Sequence, residues 1–444
     1  MIAQKPPLKV LVVGAGFAGL ATGIECAQRG MDVTILEKYT DSNSQGDILD
    51  FFPNGGRVIK RWANGAVGAK IHETGCNKIR AMELYKYDGK YIVDVPWART
   101  EEEFDVTYAG HRGKLHSIIA EYARSQVKDV RVGVGVVEYL EETDRAGVRL
   151  STGETLWGDC VIAADGPRSI ARKQVLGITD VKDGTSWAVF RSFFKTDEAA
   201  RKHPDLQNFF YEDKDTVRFW MWEHLSLMAF QWNGGKDVAW VLIHPEQDNS
   251  DESWSNIAKK EEVIEWMKPF TGKDARALLD ITPLHKTIDF KLVYRPAIPK
   301  WTSEGGRTIL IGDAAHANLP TAGQGASQAL EDAVTVAHCL AEADGDVRLG
   351  LEAAQRIRYH RSNAVHKSGQ MNRDAFRNIP WDEIEANPEE WAKKRFPKLK
   401  PWDPQVWAEE NFPKVAEEIR AGKTGPLDEV AVPLPEGGIW SVAT

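Results

Sequence analysis

Three glycines near the N-terminus have the spacing that most directly predicts a chemical role. Gly14, Gly16 and Gly19 follow a run of apolar residues and open a helical pattern. In such a turn the first glycine permits a sharp bend, the second lets the backbone approach a pyrophosphate, and the third lets helix and strand pack closely, while the first helical N–H groups face the phosphates. Glu37 ends the next apolar run, where a carboxylate can accept hydrogen bonds from ribose hydroxyls. The spacing predicts a dinucleotide site and leaves NAD and FAD both open.

Two aspartate–glycine pairs occur where buried strands are predicted to end. Asp165 and Gly166 follow the apolar run Cys160–Ala164, and by themselves they are typical of an ordinary turn. Gly312 and Asp313 also follow an apolar run, and they precede a glycine-containing loop and a long helix. The start of that helix suits a ring oxygen that accumulates negative charge. The Asp313 carboxylate suits a polyol hydroxyl.

The periodicity of apolar residues predicts an α/β fold that positions these motifs. Leu8–Val13, a helix over Ala18–Arg29 and a strand over Met31–Glu37 form a βαβ unit. Further helices are predicted over Phe51–Trp62, His111–Val127, Glu252–Leu279 and Gly325–Ala343, and further strands within Ile79–Val95, Val130–Leu156 and Arg307–Ile311. The chain beyond these reads as helical up to Arg420, and the Pro-rich stretch Pro426–Pro435 predicts loose order.

A segment from Ser186 to His244 has a different pattern, in which apolar residues alternate at period two. The turn Asn233-Gly234-Gly235 separates two such runs, as in a β-hairpin. The aromatic residues of the segment are Phe190, Phe193, Phe194, Phe209, Phe210, Phe219, Trp220, Trp222, Phe230, Trp232 and Trp240. The pattern predicts a separate antiparallel sheet, whose aromatic residues either form a packed core or line a pocket.

The composition excludes several other classes of protein. A chain of 444 residues with 27% charged residues is typical of a globular protein of two domains or of one large elaborated domain, and a net charge of -9 argues against a nucleic-acid partner. The four cysteines have no metal-ligand spacing, and Cys26 and Cys160 lie in apolar segments that predict burial. No signal-peptide core precedes Lys9, and no run of 18 apolar residues occurs. The sequence therefore predicts a cytoplasmic protein without a membrane span or metal site.

With its three motifs in this order, the chain resembles the group A flavoprotein monooxygenases, the family of p-hydroxybenzoate and salicylate hydroxylases. The match runs from Lys9 to Ala343. The resemblance implies a Rossmann-type FAD-binding domain, a substrate domain with an antiparallel sheet, and a helical C-terminal region. The implied FAD-binding domain is residues 1–80, 105–180 and 300–345, the substrate domain is 81–104 and 181–299, and the C-terminal region is 346–444.

The resemblance also implies roles for single residues. Glu37 binds the adenosine ribose, Asp313 binds the ribityl chain, and Asp165 is linked to both FAD and NAD(P)H. Arg112 contacts FAD, unless it is only a solvated arginine at a helix start. The implied FAD-binding residues are Gly14, Gly16, Ala18, Gly19, Glu37, Lys38, Arg112, Asp165, Gly312, Asp313, Pro320, Gly323, Gly325 and Ala326. Pro320 lies beside the flavin ring, and the loop after it faces the pyrimidine end.

A second dinucleotide fingerprint is not predicted. The nearest candidate, Gly133-Val-Gly135-Val-Val-Glu138, lacks the third glycine and predicts a strand. This agrees with a family in which NAD(P)H visits the flavin without a domain of its own. The resemblance implies one bound FAD that is reduced by NAD(P)H. One oxygen atom of O2 is then delivered through a flavin C4a-hydroperoxide to an electron-rich aromatic substrate.

Two polar residues are candidates for catalysis on the substrate side. Asp47 lies in a segment that is small or apolar in many relatives, and Arg191 lies on an otherwise apolar strand, where a buried arginine needs a carboxylate partner. Such a pair could bind a polar substrate group or donate a proton, or it could be a structural ion pair or two unrelated solvated residues. His224 is predicted in a turn and His316 in a structural role. The absence of an obvious phenol base favours a larger heteroaromatic substrate.

The resemblance extends to a fungal branch of the family. The residues that carry it are Pro53, Asn54, Gly55, Arg57, Lys60, Arg61 and Trp62. Members of that branch oxidise indole alkaloids, meroterpenoids and polyketide aromatics, and its indole monooxygenases form 2,3-epoxides that can rearrange to spiro-oxindoles. An indole substrate is therefore predicted. The alternatives are a phenol or salicylate hydroxylase, a flavin-dependent halogenase, whose Trp-x-Trp motif Trp220 and Trp222 match only in part, an NAD-dependent dehydrogenase, and a flavoprotein without turnover.

Overall fold

Strands and helices are interspersed as far as Leu310, and the described elements beyond it are helical. The computed structural model describes residues 6–40, 46–98, 100–179, 183–246, 256–375, 378–396 and 402–423. Its strands are β1 (Lys9–Val13), β2 (Asp32–Glu37), β3 (Ile48–Phe51), β4 (Ala81–Lys86), β5 (Tyr91–Pro96), β6 (Tyr108–His111), β7 (Asp129–Val132), β8 (Val136–Glu141), β9 (Ala146–Leu150), β10 (Thr155–Gly158), β11 (Cys160–Ala163), β12 (Asp183–Lys195), β13 (Thr216–Trp222), β14 (Leu225–Trp232), β15 (Asp237–Pro245), β16 (Ile288–Tyr294) and β17 (Thr308–Leu310). Its helices are α1 (Phe17–Gln28), α2 (Pro53–Arg61), α3 (Ala66–Thr74), α4 (Glu101–Asp105), α5 (Arg112–Gln126), α6 (Ala171–Leu176), α7 (Glu198–Arg201), α8 (Lys260–Met267), α9 (Lys273–Asp280), α10 (Asp313–His316), α11 (Gly325–Glu342), α12 (Val347–Ala375), α13 (Trp381–Ala386), α14 (Pro388–Arg395) and α15 (Pro404–Arg420).

A five-stranded sheet in the order β17-β11-β1-β2-β7 contains the predicted βαβ unit. All four neighbouring pairs in it are parallel, so the carboxyl ends of the strands meet at one edge. The residues Val10 to Val13 of β1 are buried, as expected for a parallel strand covered on both faces. The predicted α/β fold class of Rossmann type is confirmed. The edge that carries the strand ends is where open α/β sheets bind their ligands.

A seven-stranded sheet in the order β16-β12-β15-β14-β13-β4-β5 contains the predicted aromatic segment. All of its neighbouring strands are antiparallel except β13 and β4, which are parallel. Because successive side chains point to opposite faces, the alternation divides the aromatic residues between the two sides. One side, the inner aromatic face, carries Phe193, Phe219, Phe230 and Trp232.

The opposite side of this sheet is a packing core. Phe190, Phe194, Trp220 and Trp240 pack there with buried residues of α8 and α9. With Phe209, Phe210 and Trp222, seven of the eleven predicted aromatic residues therefore pack in this sheet–helix core. Trp220, the first residue of the partial Trp-x-Trp motif, belongs to this packing core.

The C-terminal helices pack against both regions. Ile357 of α12 and Phe412 of α15 belong to the core around the parallel sheet, whereas Ile384 of α13 and Phe396 join the cluster at the inner aromatic face. The division of the chain into three regions stays a prediction, and Pro426–Pro435 lies outside the described residues. In the described part of the chain, no helix is both long and apolar enough to cross a bilayer.

Three local predictions differ from the structure. Phe51 ends β3, and the helix predicted from it begins at Pro53, a residue that is favoured in a first turn. The segment Gly133 to Gly135, predicted as a strand, connects β7 to β8, because Gly133 has a φ of 75° that an extended strand does not allow. The helix predicted over Glu252–Leu279 is two helices, α8 and α9, and residues 252–255 lie outside the described ranges.

Candidate active site

The three sequence motifs meet at the carboxyl edge of the parallel sheet. Gly14 follows β1, Asp165 follows β11, and Gly312 follows β17, and these three strands are neighbours. A Cβ added at Gly14 would lie 2.4 Å from the carbonyl oxygen of Ala164, and one added at Gly312 would lie 3.0 Å from the Cβ of Ala18. Residues that are more than 100 positions apart in sequence are therefore in direct contact.

A cavity of about 550 Å³ lies along this edge. Six of the predicted FAD-binding residues line it, and they are Gly14, Gly16, Glu37, Lys38, Arg112 and Asp165. The others lie outside that lining. Ala18 and Gly19 are in α1, Gly312 and Asp313 are at the end of β17, and Pro320, Gly323, Gly325 and Ala326 are in the loop and first turn that lead into α11. His116, which the sequence reasoning missed, lines the same cavity one helical turn after Arg112.

The glycines of the first motif have the geometry that a pyrophosphate requires. A Cβ added at Gly16 would meet no atom within 4 Å, so its backbone is open to a ligand. Gly14 has a φ of 101°, and a Cβ at Gly19 would lie 1.9 Å from the carbonyl oxygen of Gly14. One glycine therefore leaves the approach to α1 open, and the other two permit the turn and the close packing. This donor set fits a dinucleotide cofactor.

The carboxyl groups at the strand ends are held in place by hydrogen bonds. Glu37 accepts from the backbone N–H groups of Ala15 and Tyr39, at 2.8 and 2.9 Å. Asp165 accepts from the hydroxyl of Tyr139 at 3.1 Å, and burial raises the pKa of Asp165. Both carboxyl groups line the cavity with fixed orientations and retain lone pairs for hydroxyl donors.

Asp313 begins α10 just after β17, where part of its surface is exposed although protein atoms surround its carboxyl group. Gly312 reaches this turn with a φ of 56°, and Arg172 donates to the carbonyl oxygens of Asp313 and, at 2.8 Å, of Ala314. Burial raises the pKa of Asp313, although His316, Arg172 and Arg112 oppose that rise. The Arg112 guanidinium therefore lies close enough to Asp313 to interact with it, which connects the cavity to the third motif.

The structure brings together the two predicted catalytic residues. The Nη1 atom of Arg191 lies 3.3 Å from Oδ2 of Asp47, and the two side chains are only 10% and 14% exposed. The backbone N–H of Arg112 donates to the carbonyl oxygen of Asp47 at 2.8 Å. Burial lowers the pKa of Arg191, and the Asp47 carboxylate opposes that decrease. Arg191 is on the same side of β12 as Phe193, so the ion pair borders the inner aromatic face.

Comparison with known proteins identifies the family. A family model described as FAD binding domain matches residues 7–367. The FAD-dependent monooxygenase nanF of Aspergillus nanangensis is 34% identical over 392 residues, which are 86% of this chain and 84% of that protein. The chain belongs to the FAD-dependent monooxygenases. The predicted FAD cofactor and the prediction of an FAD-dependent monooxygenase are therefore confirmed.

Two further relatives extend this result. The notoamide E oxidase notB of Aspergillus sp. (strain MF297-2) is 32% identical to this chain over 386 residues, which are 86% of this chain and 84% of that protein. The crystal structure of CtdE in complex with FAD and substrate 4 has a TM-score of 0.84 at 31% identity and covers 93% of this chain and 100% of that one. The monooxygenase is therefore similar to these proteins over nearly its whole length.

The turn at Gly312 is held from behind by a buried carboxylate that the sequence reasoning missed. Oδ2 of Asp332, in α11, accepts from the backbone N–H of Gly312 at 2.8 Å and lies 2.6 Å from Nε2 of His316. Oδ1 accepts from Nε of Arg358 at 2.8 Å. Burial alone would raise the pKa of Asp332, but His316 and Arg358 outweigh it and hold the pKa at about 2. The predicted structural role of His316 agrees with this arrangement.

Glu331 extends the same arrangement. Arg358 donates to it, and so does Arg361, with Nε at 2.8 Å and Nη2 at 2.9 Å. Asn54 and Gln328 donate to its Oε1 at 2.6 and 2.9 Å. We call Glu331, Asp332, Arg358 and Arg361 the buried ionic network. No spacing in the sequence indicates that these residues are partners, because the paired acids and arginines lie 26 to 30 positions apart.

The remaining candidate histidine lies away from the site. His224 is exposed in the turn between β13 and β14 and has a φ of 61°. A turn at this position was predicted from the sequence. The location leaves Asp47 and Arg191 as the predicted catalytic residues that the fold brings together.

Proposed function

We propose that this monooxygenase uses NAD(P)H and O2 to insert one oxygen atom into an electron-rich aromatic compound, with an indole ring as its preferred substrate class. The observation that carries the proposal is the buried ion pair of Asp47 and Arg191, which borders the inner aromatic face and contacts the backbone of Arg112. A charged pair in an aromatic setting suits an aromatic ring system with a polar substituent. One relative is named for the oxidation of notoamide E, which supports a small-molecule substrate of that kind.

The proposal assigns FAD to the carboxyl edge of the parallel sheet. Gly14, Gly16 and the start of α1 would hold the pyrophosphate, Glu37 the adenosine ribose, and Asp313 the ribityl chain. The flavin ring would lie against the loop at Gly323, where an added Cβ would be 3.4 Å from the ring of Phe52. Bound FAD, once reduced by the nicotinamide, supplies the activated oxygen.

The substrate is expected between that loop and the inner aromatic face. The ring centroids of Phe52 and Trp97 are 5.7 Å apart, and those of Trp97 and Phe230 are 6.2 Å apart. Aromatic contacts therefore run from the loop to the sheet. These rings would exclude water from the oxygen transfer. Arg191 would donate a hydrogen bond to an oxygen of the substrate, and Asp47 would orient the guanidinium.

Product analysis tests the proposed reaction. The FAD-loaded protein is mixed with indole compounds, phenols or salicylate, and the consumption of NADPH and NADH is measured under 18O2. We expect an indole compound to stimulate consumption and to gain one 18O atom. Stimulation by salicylate alone would favour the phenol hydroxylase alternative, halide-dependent products would favour the halogenase, and no stimulation by any compound would contradict the proposal.

The FAD assignment has a separate test. We expect Asp313→Ala to purify with much less flavin per chain, because the ribityl contact is lost. Glu342→Ala, an exposed acid at the end of α11, is the matched control. An Asp313→Ala protein with the full flavin content would remove Asp313 from the cofactor site.

A further inference from the structure

Asp50 is a carboxyl group that points toward the inner aromatic face from the opposite side of the site. It lies in β3, where alternate residues point to opposite sides. Ile48 and the cross-strand partner of Asp50, Ala109, pack in the cluster with Trp232, whereas Phe51 packs in the core of the parallel sheet. The Asp50 side chain therefore lies on the side of β3 and β6 that faces the aromatic residues.

Among the described residues, no partner accounts for the position of the Asp50 carboxyl. Its Oδ1 atom is shielded from solvent and makes no hydrogen bond. The residue nevertheless keeps an intermediate exposed area, although burial raises its pKa to about 7. Protein atoms therefore surround the Asp50 carboxyl group, while part of the residue's surface stays accessible. An unpaired carboxyl there costs stability, and such a group calls for a functional explanation.

Unpaired hydrogen-bond donors occur in the same cluster. The indole Nε1 atoms of Trp97 and Trp232 are buried and make no hydrogen bond to any residue that the structure describes. Both rings belong to the cluster at the inner aromatic face, and Trp232 stacks 5.7 Å from Phe193. The inner aromatic face and the strand beside it therefore carry one carboxyl acceptor and two N–H donors among aromatic residues. These groups complement a flat compound that carries an N–H donor and a carbonyl oxygen.

We propose that Asp50 is a specificity-determining residue that binds an N–H group of the aromatic substrate through its carboxyl oxygen. The ligand class is an aromatic compound with a ring N–H or a secondary amide. A neutral N–H donor suits this position because it gives the carboxyl group a hydrogen bond without bringing a second charge into apolar surroundings. A protonated carboxyl keeps an oxygen that accepts the same hydrogen bond. The inference rests on the proposed function, since it assumes that the substrate enters between Phe52 and the sheet.

The test uses the FAD-loaded enzyme and one probe, cyclo(Trp-Ala), which carries an indole N–H and two lactam N–H groups. Derivatives with one nitrogen methylated at a time remove these donors singly. Binding is measured from the change in flavin absorbance with the wild type, Asp50→Leu and Asp50→Asn. Ile48→Leu is the matched control, because it changes the same side of β3 without removing a hydrogen-bonding group.

We expect methylation of one particular nitrogen to weaken binding to the wild type and to Ile48→Leu by about 10- to 100-fold, the range of a hydrogen bond to a charged group. The same methylation should weaken binding to Asp50→Leu less than about twofold, since the partner is already gone. Asp50→Asn, which keeps an acceptor oxygen, should lie between them. This non-additivity distinguishes direct contact from a general loss of structure.

Two results would overturn the role of Asp50. One is an equal loss on methylation in the wild type and in Asp50→Leu, and the other is a probe that binds neither protein. If an indole compound is oxygenated but no N–H dependence is found, the proposed function stands and only the assignment of Asp50 fails. If no compound is oxygenated, the proposed function fails first.

Discussion

Asp332 and Asp50 both carry carboxyl groups that protein atoms surround near the site, yet the pKa of Asp332 is about 2 and that of Asp50 is about 7. Asp332 lies in the buried ionic network, where each of its oxygens has a hydrogen-bonding partner. Asp50 faces the inner aromatic face, and its Oδ1 has none. Burial acts on both groups, so the surrounding charges and donors decide the difference.

The comparison separates two kinds of region within one active site. The network of Glu331, Asp332, Arg358 and Arg361 is satisfied by the chain itself and holds the turn at Gly312 in place. The inner aromatic face retains polar atoms that no described residue satisfies. The first region should therefore respond to substitution through stability, and the second through binding and turnover.

The largest expected effect is at Asp332. Asp332→Ala leaves the Arg358 guanidinium short of a partner in a fully buried position and removes the acceptor of the Gly312 N–H. We expect the free energy of unfolding to fall by about 3 to 5 kcal/mol. Denaturant unfolding measures it, with Glu342→Ala on the same helix as the control. A loss below about 1 kcal/mol would show that the network does not hold the fold.

The second effect concerns turnover without loss of the fold. The double variant Asp47→Asn with Arg191→Leu removes both charges of the ion pair, so that neither is left buried alone. We expect the rate of product formation to fall about 10- to 100-fold, because a positioned charged donor is lost, while the flavin content is unchanged. Product formation and the flavin-to-protein ratio are measured together. An unchanged rate and product profile would make this pair structural, like the network.

The third effect is a pH dependence of opposite sign in the two regions. Folding raises the pKa of Asp50. The contribution of Asp50 to the stability of the protein therefore falls as the pH rises from the ordinary carboxyl range to about 7. Asp332 has the opposite effect, because its pKa is lowered by folding. Its contribution to stability is present above the ordinary carboxyl range and is lost as the pH falls toward about 2.

The Asp50→Asn variant isolates the pH-dependent contribution of Asp50, since asparagine does not titrate. We expect its stability relative to the wild type to increase between pH 4 and pH 7.5, by on the order of 2 kcal/mol. Unfolding at both pH values measures the difference. The exposed Asp382→Asn is the control and should show none. A constant difference for Asp50→Asn would mean that Asp50 has a partner in solution.

The smallest effect tests the connection between the regions. The hydroxyl of Ser327, in the helix that carries the network, accepts from the backbone N–H of Phe52 at 3.0 Å. We expect Ser327→Ala to lower the free energy of unfolding by about 1 kcal/mol, the value of one neutral hydrogen bond. Thermal unfolding measures it. A much larger loss would mean that the two regions are energetically coupled rather than merely adjacent.

The cofactor side could be predicted closely because its signals are local. The spacing of Gly14, Gly16 and Gly19 specifies a turn and a helix start within six residues, and the short parallel strands need only their apolar runs to be recognised. The faces of the aromatic sheet were less predictable. Alternation divides its aromatic residues into two sets, but nothing local says which set faces the flavin and which packs on helices.

The groups that distinguish the two regions could not be predicted at all. Asp332 and Arg358 are 26 residues apart and meet only because α11 and α12 pack side by side. Asp50 lies in a four-residue strand between a predicted candidate, Asp47, and a segment predicted as helical, and no spacing indicates that its carboxyl lacks a partner. A missing contact is a property of the whole packing.

By itself, the sequence determined the FAD edge, the monooxygenase family and the two candidate residues Asp47 and Arg191. The FAD edge follows from backbone geometry, which depends on residues close together in the chain, and the family follows from the resemblance in motif order. The two candidates follow from polar residues in otherwise apolar segments. Only the tertiary structure decided that Asp47 and Arg191 form a buried pair, that Asp332 is fully satisfied and that Asp50 is not. Burial and the distances to distant charges set those properties, and both arise only when the parallel sheet, the aromatic sheet and the C-terminal helices pack together.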